Sequence, residues 1–92
     1  MLSKIVMHGV VSSELIVSQT KAGRMMLSFD LSQGDPSVIL CIAWGKCAEF
    51  IERNFRRGGE IIVSGEFRLN PRENYIAIED AHFCKKKEGN IC

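Results

Sequence analysis

Gly45 marks the sharpest change of pattern in the chain. A β-branched, apolar run, Val38 to Trp44, ends there, and an amphipathic helical stretch, Lys46 to Arg57, begins. That stretch stops at Gly58-Gly59, and a second β-rich run, Glu60 to Leu69, follows at once. Within the helical stretch Cys47, Phe50, Ile51 and Phe55 fall at i, i+3, i+4 and i+8, one apolar stripe flanked by Ala48. Glu49 with Arg53, and Glu52 with Arg56, are i,i+4 pairs in the favourable order. Arg56 and Arg57 suit the negative end of a helix dipole, and Gly58 suits a C-cap.

The flanks read as strands. Leu2 to Val11 is apolar, with Gly9 a bulge or a close-packing point. Apolar character resumes at Leu15 to Val17, which predicts a long, bent first strand. Lys21-Ala22-Gly23-Arg24 is a turn. Met25 to Ser32 alternates, with Met25, Leu27, Phe29 and Leu31 on the face to be buried. Gln33 to Ser37 closes a hairpin into Val38–Trp44, and Asn70 to Asn74 closes another into Tyr75–Phe83. In that last strand Ile76, Ile78 and Asp80 are expected on the face opposite Tyr75, Ala77 and Glu79. Five strands with one helix between the third and fourth predict an all-β, five-stranded OB-fold Greek-key barrel.

At 92 residues the chain makes one small domain. A domain of this size buries only about 60–65% of its unfolded surface, so association with further copies is an expected source of stability. The expected division is a barrel over residues 1–84 and a short basic tail over 85–92, which holds Lys85, Lys86 and Lys87. No apolar run approaches the roughly 20 residues of a membrane span, and no signal peptide is read, so a cytoplasmic location is expected. The four cysteines (Cys41, Cys47, Cys84, Cys92) show no C-x-x-C spacing. His82, Cys84 and Cys92 fit no common zinc module, so neither a metal nor a cofactor is expected.

The chemistry-bearing residues point to binding rather than catalysis. The single tryptophan, Trp44, stands at the strand-to-helix corner with Lys46 two residues on. That pairs a stacking plate with a phosphate contact, as single-stranded nucleic acid requires. Tyr75 and Phe67 are candidate additional plates. Net charge is only +1, so affinity for a polyanion must come from local clusters. His8 and His82 lie in separate β segments beside apolar residues and are read as structural. No carboxylate set is spaced for acid–base work, and no glycine loop is built to cradle a phosphate, so no enzymatic activity is expected.

Three segments also resemble a known family. Lys4-Ile5-Val6-Met7-His8-Gly9-Val10, Gly23 through Phe29, and above all Ile42 through Phe50 followed by Phe55 through Arg68 look like bacterial single-stranded-DNA-binding proteins (SSB). The resemblance spans roughly residues 2–84 and implies a non-enzymatic, largely sequence-independent binder of single-stranded DNA in replication, recombination or repair. By position it implies base stacking on Trp44 and phosphate contacts from Lys46, Arg57, Arg68 and Lys4, with Arg72 near the place of an aromatic the family has. It implies a homo-oligomer, tetramer or dimer, and replication or restart proteins as partners. A second stacking tryptophan is missing, with Val38 or its neighbour at its place; both hairpins are short, and the family's linker and acidic tip are not matched. Small primosomal replication proteins share these reductions, so a protein-docking dimer is the alternative reading. A barrel serving only as an interaction scaffold is a further one.

Overall fold

A computed structural model describes residues 4–34 and 37–84. Leu2, the Asp35-Pro36 turn, the Lys85–Lys87 run and Cys92 lie outside the described residues. The elements run β1 (Lys4–Val11), β2 (Ile16–Gln19), β3 (Met25–Ser32), β4 (Val38–Trp44), α1 (Gly45–Asn54), β5 (Glu60–Arg68) and β6 (Tyr75–His82). The strands pair in the order β1-β5-β6-β4-β3-β2, and β1 returns to pair with β3. The sheet therefore closes into a ring, with β4 and β6 parallel and the other described pairs antiparallel. This is the all-β OB-fold barrel expected from the sequence, with its one helix between β4 and β5.

The expected long, bent first strand occurs as β1 and β2, so the five expected strands become six segments. Residues 12–15 make the bend, and Asp30 of β3 pins it. The Ser12 N–H donates to the Asp30 carbonyl at 2.9 Å, and the Asp30 N–H donates to Ser13 Oγ at 2.9 Å. Upstream of the bend β1 pairs with β5, and only Val10 and Val11 reach β3. Gly9 makes that closure possible. A Cβ there would run into the Ser32 carbonyl oxygen and lie 3.1 Å from the Leu31 side chain. Gly9 is thus a close-packing point.

The interior is lined by the alternate residues of each strand: Val11, Leu27, Phe29, Leu31, Cys41, Ile61, Val63 and Ile76, all at most 1% exposed. The helix covers one end with Ala48 and Ile51, both fully buried. Phe50, expected in the buried stripe, lies at the rim, where its ring meets Phe55 and Phe83 edge-on.

The helix is also shorter than its pattern predicts. It ends at Asn54, because Phe55 turns into the core in an extended conformation while its N–H still donates to the Ile51 carbonyl. Arg56 and Arg57 therefore lie beyond the helix, and Glu52 and Arg56 do not share a helical face. Gly58 donates to the Val11 carbonyl at 2.7 Å and so joins the loop to β1 instead of capping α1.

In β6 the expected alternation breaks. Gly65 of β5 pairs with Ile78 and Ser64 with Asp80, which leaves Glu79 as the extra residue of a β-bulge. Glu79 and Asp80 are consequently both exposed, and Asp80 does not share the buried face of Ile76 and Ile78. His8 and His82 are exposed too, on either side of Ile62, rather than held as structural histidines among apolar side chains. No helix among the described residues is long and apolar enough to cross a membrane.

Candidate nucleic-acid interface

Strand register sets out the outer face row by row. Met26 pairs with Trp44 at one end of the β3–β4 ladder. The next row along crosses Ser28, Ile42, Ala77, Glu66 and Lys4. The row beyond it crosses Asp30, Leu40, Tyr75 and Arg68. Apart from Ala77, which is buried, these residues are exposed or half-buried and alternate with inward-facing ones, so the rows share the barrel's exterior.

Trp44 is half-buried, neither sealed in the core nor fully open. Ala43, the residue before it, faces the interior, which sends the indole outward. The ring lines an open concavity with Arg24, Lys46, Cys47, Ile78 and Glu79. Gly45 makes the corner. Its φ of 62° favours glycine, and a side chain there would press on the Arg24 guanidinium, at 3.1 Å from its Nε. Arg24 is held by its own turn: Thr20 Oγ1 accepts from its N–H at 3.1 Å, and its carbonyl accepts from the Thr20 N–H at 2.8 Å.

Helix α1 starts at the same corner. Its N-cap is Trp44, which provides no side-chain cap, and its first turn carries no acidic residue. The leading N–H groups and the positive end of the helix dipole add to Lys46 and Arg24. A flat π surface, two cations and a set of backbone donors converge there, a combination suited to a base and its phosphate.

The other expected residues divide. Tyr75 is half-buried beside exposed Arg68 on the outer face, and Arg72 is exposed in the turn that follows β5. Four residues of β4 separate Trp44 from the row of Tyr75, about 13 Å along the strand. Lys4 is committed to Glu79: a hydrogen bond from its ammonium and the opposite charge hold its pKa above the ordinary lysine value. Glu79 lines the Trp44 concavity, so this ion pair borders the site. Arg68 makes a looser pair with Glu66 at 3.3 Å.

Two expectations fail on geometry. Phe67 pairs with buried Ile76 and packs against the core, so its ring serves the barrel interior and not the outer face. Arg57 stands beyond the far end of α1, a helix about 15 Å long. There it pairs with Glu14 at 3.4 Å and lines a separate concavity with Leu15, Phe55 and Arg56. The cation that accompanies Lys46 beside the indole is Arg24, which the sequence reading did not assign to the site. The sequence holds a hint of it, a cation closing the turn before β3, but only strand pairing brings that turn to Gly45.

Comparison of the backbone with solved structures supports this architecture. The SSB domain of a protein from Synechococcus sp. superposes with a TM-score of 0.82 at 14% identity, covering 89% of this chain and 96% of that one. The second single-stranded-DNA-binding protein (SSBb) of Mycobacterium smegmatis gives 0.80 at 10% identity, covering 89% and 88%. The chain has an SSB-like OB fold. The sequence itself matches no protein-family model and no curated protein. The SSB-like fold is thus carried by the pattern of buried positions and turns more than by residue identity.

Proposed function

We propose that this SSB-like chain binds single-stranded DNA without sequence preference. A base stacks on Trp44, and Lys46, Arg24 and the N-terminus of α1 hold the adjoining phosphate. Tyr75, with Arg68 and Arg72 near it, extends the path across the outer face of β4 and β6. The observation that carries this reading is the outward, half-exposed indole between two cations on a fold that single-stranded-DNA-binding proteins share. Stacking contributes about 1–3 kcal/mol per base. With one clear plate, and Glu66, Glu79 and Asp30 opposing the cations, a single chain binds weakly. Useful affinity then comes from several chains on one strand. Such a protein acts as a non-enzymatic component of replication, recombination or repair.

A protein-docking dimer of the primosomal kind is the second reading, and one observation favours it. Among the described residues, strand β2 pairs only with β3 and exposes Ile16 at 62% and Val17 at 46%, while Val6 on β1 is 71% exposed. Edges of this kind invite pairing with another chain.

Binding of labelled oligo-dT measured across a salt series, with mass determined in parallel, tests the proposal. Each lost phosphate contact should flatten the log–log salt slope by about 0.7. Lys46→Ala and Arg24→Ala are each expected to do so, whereas Arg57→Ala leaves the slope unchanged. A slope that ignores Lys46 and Arg24, or follows Arg57 equally, contradicts the interface. A dimer that binds long oligo-dT only at micromolar concentration favours docking.

A further inference from the structure

The outer surface at the opposite end of β5 carries a cluster with different chemistry. His8 of β1, Glu60 at the start of β5, and Cys84 just past β6 bring an imidazole nitrogen, a carboxylate oxygen and a sulfur to within 4.8 Å of one another. His8 Nε2 lies 4.0 Å from Glu60 Oε2. We propose that these three side chains bind a zinc ion, with water completing a tetrahedral site.

The donor set argues for that metal. Nitrogen, sulfur and oxygen together suit a borderline-soft d¹⁰ cation, whereas calcium and magnesium take oxygen alone. Bond lengths of about 2.0–2.3 Å place tetrahedral ligands roughly 3.5 Å apart. Closing from the present separations therefore needs only side-chain rotation of about 1 Å, and His8 and Glu60 are exposed and able to turn. The backbone beneath is fixed. Lys4 to Val10 and Glu60 to Glu66 are zipped residue by residue, so His8 and Glu60 have a set register. Cys84 follows Phe83, whose ring stacks on Phe55 with centroids 5.0 Å apart. That contact, with the edge-on contact of Phe83 to Phe50 of α1, holds the end of the strand against the helix and delivers the sulfur to β5.

This site draws on residues that a linear reading does not group. Of His82, Cys84 and Cys92, the trio nearest in sequence, the cluster uses Cys84 alone. On binding, the Cys84 S–H gives its proton to solvent as the sulfur–zinc bond forms, while His8 and Glu60 donate lone pairs and lose nothing. The bound ion ties β1, β5 and the end of β6 together, far along β5 from Arg68 and Tyr75.

Cobalt(II) reports the site directly, because a bound thiolate gives a charge-transfer absorption in the near ultraviolet. The full chain, reduced with a phosphine, is titrated with CoCl₂ and then with ZnCl₂. The expected result is a thiolate band saturating at about one equivalent, bleached by zinc, with about one proton released per metal. Cys84→Ser should abolish the band and His8→Ala should weaken metal binding at least tenfold, with circular dichroism showing each variant folded. Cys47→Ser and Cys92→Ser should keep the band. Absence of a thiolate band in the folded wild-type chain, its survival in Cys84→Ser, or its loss in Cys92→Ser overturns the assignment.

Discussion

Cys41 shows how closely the environment of one side chain is set by its place in a strand. It alternates with outward Leu40 and Ile42, so its thiol enters the core and is fully buried. Burial, helped by the negative charge of Asp30, pushes its pKa from 9.0 up to about 12. Because the folded value is raised, the protonated thiol favours the folded state fully below pH 9.0 and progressively less as pH rises to about 12. The stability of the wild type relative to Cys41→Ala should therefore fall across that window by up to about 1.4 kcal/mol per pH unit. Urea unfolding at a series of alkaline pH values measures it, and a constant difference between the two proteins would contradict the assignment. Trp44 obeys the same alternation with the opposite result. Its partly open placement was legible in the sequence from its position at the corner beside Gly45 and Lys46, whereas the inward facing of Ala43 and Cys41 was not, because the run Val38–Trp44 is apolar throughout. Nor was the neighbour that completes its site. Arg24 lies 20 positions away, and only the pairing of Met26 with Trp44 sets its turn against Gly45.

At the scale of elements, Gly9 joins local sequence to barrel closure. An alanine there must displace the Ser32 carbonyl or part β1 from β3, and overpacking of this kind costs about 1–3 kcal/mol. Gly9→Ala is expected at the upper end of that range, read as a lowered urea midpoint; an unchanged midpoint would mean that β1 and β3 do not meet as described. The strands themselves were readable because the 2-residue period is strong in β3 and β4 is a continuous β-branched, apolar run. Two features escaped it for physical reasons. The bulge at Glu79 inserts one residue into the pattern, and nothing in Ile78-Glu79-Asp80 marks which of them is extra. The end of α1 was overextended because Phe55 continues the apolar stripe at i+8 while its backbone has already left the helix. A tertiary contact, the ring entering the core, overrides the capping chemistry that Gly58 offers.

For the whole molecule, the closed ring of strands separates three surfaces that the sequence interleaves. The outer face of β4, β5 and β6 holds Trp44, Tyr75 and Arg68. The far end of α1 holds Arg57 with Glu14. The β1–β5–β6 corner holds His8, Glu60 and Cys84. Only the first has the stacking plate, the cations and the helix N-terminus together, so the proposed DNA binding is assigned to it. Since Trp44 is the single tryptophan, its emission reports that surface alone. Titrating the protein with oligo-dT at low salt is therefore the most direct test. The account predicts quenching of tryptophan fluorescence that saturates with oligo-dT and reverses as salt is raised. Emission that stays unchanged through a large excess of oligo-dT would contradict it.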